Sequence, residues 1–174
     1  MSNVEILISE QDVRARIGEI AALLSEKYEG REVELVGVLN GSVFFITALA
    51  QAMTIPVELD FMSVSSYGSG TESTGNVVIE KNLSRPIKGK SVIVVEDIVD
   101  TGRTLKTLCG LFKEQEPESL EVVTLLDKPD RRVVDFKADY VGFQIPDAFV
   151  VGWGLDYDQK YRDLTFVGVL NEEN

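Results

Sequence analysis

The sequence predicts an α/β domain, a mostly parallel twisted sheet with helices on both faces, and three observations predict it. Short apolar-rich runs stand at 33–39, 92–95 and 120–126, the second unbroken, as in strands buried within a sheet. The first two are each followed by a glycine turn and a helical stretch, the strand-loop-helix order of a parallel sheet. The length of 174 residues, with 44% hydrophobic and 26% charged residues, suits a single domain with one substantial core over 1–174.

The elements follow in order. Ser9 reads as the N-cap of an amphipathic helix whose Val13, Ile17, Ile20 and Leu24 are spaced four, three and four, with Gly30 as its stop. A strand over 33–39 passes through the tight turn Asn40-Gly41-Ser42 into an apolar helix over 43–53. A strand over 56–65 alternates Val57, Leu59 and Phe61 to one side. Residues 67–76 are Gly, Ser and Thr rich with nothing to bury and read as a mobile loop, from which 77–80 returns as a strand. A turn at Lys88-Gly89 leads into the strand beginning at 92, and 102–115 is its helix. Strands over 120–126 and 138–143 are separated by a polar stretch. Those over 150–155 and 164–170 are expected to complete the sheet around an acidic and aromatic loop.

Composition excludes several functions. No apolar run approaches the roughly 18 residues of a membrane span. The start Met-Ser-Asn-Val-Glu carries no leader pattern, and the single Cys109, read as buried filler, allows no internal disulfide, so a reducing cytoplasm is expected. With 17 basic and 29 acidic residues the net charge is −12, which argues against a nucleic-acid surface. The chain has no histidine, so proton transfer falls to carboxylates, lysine, tyrosine or water.

Residues 92–104, Val-Ile-Val-Val-Glu-Asp-Ile-Val-Asp-Thr-Gly-Arg-Thr, carry the most chemistry. An apolar strand runs into the paired carboxylates Glu96 and Asp97, then into a turn of Asp100, Thr101, Gly102, Arg103 and Thr104 that opens a helix. Backbone N–H groups and hydroxyls at a helix N-terminus favour a phosphate. Adjacent carboxylates at a strand's end accept from vicinal sugar hydroxyls and hold a hydrated Mg²⁺, and Asp100 points back into the same crevice. The pattern suits a phosphorylated sugar.

Glu-Asp-x-x-Asp-Thr-Gly-x-Thr is similar to the phosphoribosyl pyrophosphate loop of the type I phosphoribosyltransferases. Four loops between about 33 and 170 resemble those of the hypoxanthine-guanine phosphoribosyltransferases of purine salvage. Val38-Leu39-Asn40-Gly41-Ser42 looks like the family's pyrophosphate loop with its unusual cis peptide, although Asn40 stands where the family usually has Lys or Arg. Ser65-Ser66-Tyr67-Gly68 resembles the start of a mobile lid. The fourth region runs from Asp127-Lys128 through Ile145-Pro146-Asp147-Ala148-Phe149-Val150-Val151-Gly152-Trp153-Gly154-Leu155-Asp156-Tyr157 to Tyr161-Arg162-Asp163.

The resemblance implies transfer of a 5-phosphoribosyl group from phosphoribosyl pyrophosphate to hypoxanthine or guanine, with Mg²⁺ as cofactor and a homodimer or homotetramer as assembly. It implies that the N- and C-terminal segments form a small hood over the base. Asp100 would be the acid-base residue. Glu96, Asp97 and Asp100 to Thr104 would hold the sugar and its phosphate, and Asn40, Gly41 and Arg162 the pyrophosphate. Lys128, Phe149, Val150, Trp153 and Asp156 would bind the purine, Lys128 by donating to its exocyclic oxygen and Trp153 by stacking. Ser66 and Tyr67 would belong to the lid, and Asp156, Glu96 and Asp97 to the metal's surroundings. Two alternatives are an enzyme preferring xanthine and a nucleic-acid-binding regulator on the same fold. The acid excess weighs against the regulator.

Overall fold

The computed structural model of the chain describes residues 3–66 and 77–171. Its centre is a six-stranded sheet in the order β4-β3-β2-β5-β6-β7. These are Val77–Lys81 (β4), Val57–Ser66 (β3), Val33–Leu39 (β2), Ser91–Val99 (β5), Ser119–Asp127 (β6) and Tyr140–Gln144 (β7). β3, β2, β5, β6 and β7 run parallel, and only β4, at the edge, is antiparallel.

The apolar-rich runs are the central strands. Val92, Ile93, Val94 and Val95 of β5 are wholly buried and send alternate side chains into two cores. On one face lie α1 (Glu10–Lys27) and α2 (Val43–Ala52), with Val13, Ile17, Ile20 and Leu24 of α1 packed on Phe45, Ile46 and Leu49 of α2. Ser9 caps α1 by accepting from the Asp12 amide at 3.1 Å. α3 (Arg103–Lys113) covers the other face with Leu105, Leu108 and Phe112. Cys109 packs partly buried beside them, and burial pushes its thiol pKa up to about 11.

Two expectations are corrected. The runs at 150–155 and 164–170 do not join the main sheet. Gly152 and Gly154, at φ +96° and +99°, turn the chain after Val150–Val151 (β8), and Val167–Asn171 (β9) then pairs with it. The third member is an N-terminal strand the sequence reading missed, Asn3–Ile8 (β1), giving a separate antiparallel sheet β1-β9-β8. In β3, Leu59 is 41% exposed while Asp60 and Met62 of the opposite face are buried, because Asp60 satisfies its carboxylate with the amides of Phe61 and Ser84.

At the amino ends of the strands, the buried Glu34 of β2 accepts from Lys90 Nζ at 2.5 Å. Lys90 also donates to Glu58 of β3 at 2.9 Å, and Arg85 donates to Glu58 at 3.1 Å. The Lys90 hydrogen bond holds the Glu58 carboxyl below its usual range, against the opposing effect of burial. Among the described residues no helix is long and apolar enough to cross a membrane.

Candidate active site

β2 pairs with β3 on one side and β5 on the other, so the loops leaving β2 and β5 diverge and open a crevice at the carboxyl ends of the strands. A cleft of about 210 Å³ lies there, lined by Val38 and Leu39 of β2, by Glu96 and Asp97, and by Asp100, Thr101, Gly102 and Thr104 of the turn.

Glycine brings the loops this close. The peptide bond Leu39-Asn40 is cis, and Gly41 follows with its backbone against Asp97: a Cβ on Gly41 would lie 1.7 Å from Asp97 Oδ2. From the other side, a Cβ on Gly154 would lie 1.8 Å from the Gly41 carbonyl oxygen. The loop after β2, the acidic pair and the loop after β8 are therefore stacked in direct contact. Asn40 itself is exposed.

β5 runs on past its apolar stretch to Val99, so Glu96 and Asp97 are held on strand backbone. Each supports the next amide: Glu96 Oε1 accepts from Asp97 N at 3.1 Å and Asp97 Oδ1 from Ile98 N at 2.8 Å. Burial, followed by the charge of Asp97, pushes the Glu96 carboxyl well above its usual range. Burial also raises Asp97, against the side-chain hydrogen bond it shares with Glu96, the neighbouring amides and the charge of Arg162. Among the described residues neither has a cation within ion-pairing distance. Such a pair suits a cation or a vicinal diol arriving from solution.

Gly102 stands before the first turn of α3 at φ +82°, a conformation that side chains disfavour. A Cβ there would also meet Arg132 Cδ at 2.9 Å. The first turn contains no acidic residue, and Gly102 offers no capping side chain; Thr101 Oγ1 accepts only a long bond, 3.4 Å, from Arg103 N. The N-terminus of α3 thus faces the cleft with its positive dipole end.

Lys128 follows β6, is 9% exposed, and gives its amide to Val99 O at 2.9 Å, which seats it beside the acidic turn. Its Nζ lies 3.7 Å from Asp147. Asp100 is half-exposed and accepts from Arg131 Nε at 3.0 Å. Arg131 lies on the short 3-10 turn Pro129–Arg131, and its Nη1 is 3.7 Å from Asp147. Arg132 donates to the Asp100 carbonyl oxygen at 2.6 Å and pairs with Asp127. The sequence reading sees only a polar stretch at Arg131 and Arg132, and it includes Asp147 in the fourth region without giving it a role. The available signal was an arginine doublet one turn beyond a buried lysine.

In the loop after β8, Arg162 donates to Gly154 O at 2.6 Å and lies 3.0 Å from Asp156 Oδ1, while Asp156 Oδ2 accepts from Gln159 N at 2.8 Å. Val150 is buried and paired with Val169. Trp153 corrects the expected stacking surface. It is 5% exposed and part of the core, its indole N–H donates to Thr165 O at 2.5 Å, and the Arg14 guanidinium lies 5.3 Å over its ring. Phe149 instead presents its ring, 53% exposed and in edge contact with Tyr157. Ser66 ends β3, and Tyr67 with the rest of the expected lid lies outside the described residues.

A family model described as phosphoribosyl transferase domain matches residues 4–160. The hypoxanthine phosphoribosyltransferase of Salmonella typhimurium is 48% identical over 95% of this chain and 94% of its own length. The bifunctional protein TilS/HprT of Listeria monocytogenes is also 48% identical, but the chain spans only 26% of it. Among solved structures, a hypoxanthine-guanine phosphoribosyltransferase of Bacillus anthracis, with a HEPES molecule in its active site, superposes with a TM-score of 0.94 at 44% identity. That match covers 98% of this chain and 100% of the other.

Proposed function

The chain belongs to the phosphoribosyl transferase domain family, and from that premise we propose that it transfers the 5-phosphoribosyl group of phosphoribosyl pyrophosphate to a 6-oxopurine, giving a nucleoside monophosphate and pyrophosphate. One observation carries this reading: Gly41, closed in between Asp97 and Gly154, brings the loop after β2, the acidic end of β5 and the loop after β8 into direct contact. Curated relatives of matching length bear the names of such enzymes.

Positive charge grows on the sugar in such a displacement and negative charge on the leaving pyrophosphate. Glu96 and Asp97 fix the ribose hydroxyls, and the amides and hydroxyls of Asp100 to Thr104 fix the 5′-phosphate, so the anomeric carbon is presented for in-line attack. The Gly41 amide and Arg162 serve the leaving group, with Asn40 contributing its backbone but no charge. Lys128 donates to the purine's exocyclic oxygen and so rejects a base whose amino group stands there. Phe149 stacks on the ring, with the main chain at Val150 beside it. Asp100 exchanges a proton with the imidazole nitrogen that does not attack, help worth about 10²–10⁴-fold.

The donor set fits Mg²⁺. Among the described residues no closed cage of three metal-binding side chains exists, and Mg²⁺ ordinarily takes one or two carboxylates and completes its shell with phosphate oxygens and water. Asp156 would hold it directly, and Glu96 and Asp97 would hold its water shell. Bound there, the ion would neutralise pyrophosphate charge. The sheet β1-β9-β8 stands as the hood over the base, and the assembly is a homodimer or homotetramer in the cytoplasm.

The test is direct. Incubated with phosphoribosyl pyrophosphate, Mg²⁺ and each free base in turn, the protein should form nucleotide with hypoxanthine or guanine. Absence of turnover with every oxopurine, xanthine included, overturns the reading.

A further inference from the structure

We infer that Arg131 is the positioning residue for Asp100: its guanidinium, anchored at the far end by Asp147, aims the Asp100 carboxylate at the base. The inference rests on the proposed function and deepens it.

Asp100 is gripped twice by consecutive residues. Arg132 takes its main-chain oxygen at 2.6 Å, and Arg131 Nε takes side-chain Oδ1 at 3.0 Å. The second contact uses one oxygen of the carboxylate, and among the described residues Oδ2 has no hydrogen-bond partner. That is the arrangement a proton-exchanging carboxylate requires, one oxygen fixed and the other offered. Arg131 is held in turn, because Nη1 lies 3.7 Å from Asp147 Oδ2 while Asp147 Oδ1 lies 3.7 Å from Lys128 Nζ. Asp147 therefore stands between Arg131 and Lys128 as an ionic neighbour of both, and through Arg131 its charge reaches Asp100. The proton-exchanging group and the exocyclic-oxygen donor of one base are linked by two residues.

The Arg131–Asp100 pair does little for stability. The two side chains are 47% and 45% exposed, and open pairs of this kind contribute about 0–1 kcal/mol. Orientation is the contribution that remains. A half-exposed aspartate without its guanidinium samples several rotamers, only some of which face the substrate.

The experiment compares kcat and KM for phosphoribosyl pyrophosphate and for hypoxanthine in the wild type, Arg131→Met, Arg131→Lys and Asp147→Asn, with melting temperature as a fold control. Arg131→Met should lower kcat about tenfold, a fraction of the roughly 10²–10⁴-fold that acid-base help supplies, and leave both KM values within about twofold. Arg131→Lys should recover part of the loss by restoring a cation. Asp147→Asn should lower kcat by a smaller factor, about threefold, because the Asp100 contact survives it. Unchanged kcat in Arg131→Met overturns the inference, and so does a rise in KM alone, which would make Arg131 a substrate ligand. If Arg131→Met melts early, Asp147→Asn decides: a kcat loss at constant KM supports the inference and an unimpaired enzyme overturns it. An inactive wild type overturns the function itself, whereas an active wild type with unimpaired variants overturns only this inference.

Discussion

The two ends of the central sheet carry the same kind of residue in opposite circumstances. At the amino ends, Glu34 and Glu58 meet Lys90 and Arg85, and the Lys90 hydrogen bond draws Glu58 below the usual carboxylate range. At the carboxyl ends, Glu96 and Asp97 are crowded together with no cation at ion-pairing distance among the described residues, and burial raises both. A stability device neutralises the charge it buries. A binding site leaves the charge for its ligand to neutralise, and the contrast marks which end is functional without recourse to any relative.

Substitutions at the two ends test that contrast. The largest effect is expected at Asp100: Asp100→Ala should lower kcat by roughly 10²–10⁴-fold while binding of phosphoribosyl pyrophosphate, followed by calorimetry, changes far less. Equal losses would remove Asp100 from proton transfer. Next comes Lys90→Met, which leaves Glu34 buried beside only the more distant Arg85, 3.8 Å away. A cost of about 2 kcal/mol is expected, less than for a wholly buried pair because Lys90 is partly open, or a melting temperature lower by about 4–8 °C. Turnover per folded molecule should not change.

Glu96→Gln should do the reverse, raising the melting temperature of ligand-free protein in chelator by about 2 °C at pH 8 while impairing catalysis. The sign follows from linkage. The folded Glu96 carboxyl titrates above its unfolded value, so the native state has its full stability below the unfolded value and loses it as pH rises toward the folded one. The benefit of glutamine should therefore vanish near pH ~4 and grow with pH. A destabilised Glu96→Gln at pH 8 would show that the pair is compensated after all, and the contrast between the two ends would fail.

Much of this was legible in the sequence because the central strands are buried on both faces and their loops are short. The strand over 33–39 matches β2 in both bounds, and Ser9 caps α1 as its spacing requires. Legibility failed where tertiary pairing decides. β1 is six residues whose partner lies some 165 positions away, so no local pattern distinguishes it from a tail. The run at 150–155 looks like a strand until two glycines at positive φ turn it aside. Among site residues, the acidic pair and the turn that opens α3 were legible because they form one contiguous motif. Arg131 and Asp147 were not, since each acts through partners 16 to 31 positions distant. Trp153 misled for a related reason: an indole between two glycines looks like an open platform, and only the fold brings Arg14 and Thr165 to cover it.

The sealed contact at Gly41 also bears on how this molecule can change. A Cβ at position 154 would run into the Gly41 backbone and force two loops apart, whereas one at 41 would meet the Asp97 carboxylate and turn that acid out of its place. Drift in the lineage, and any library aimed at new acceptor bases, therefore meets less resistance at the open ring of Phe149 than along this inner seam.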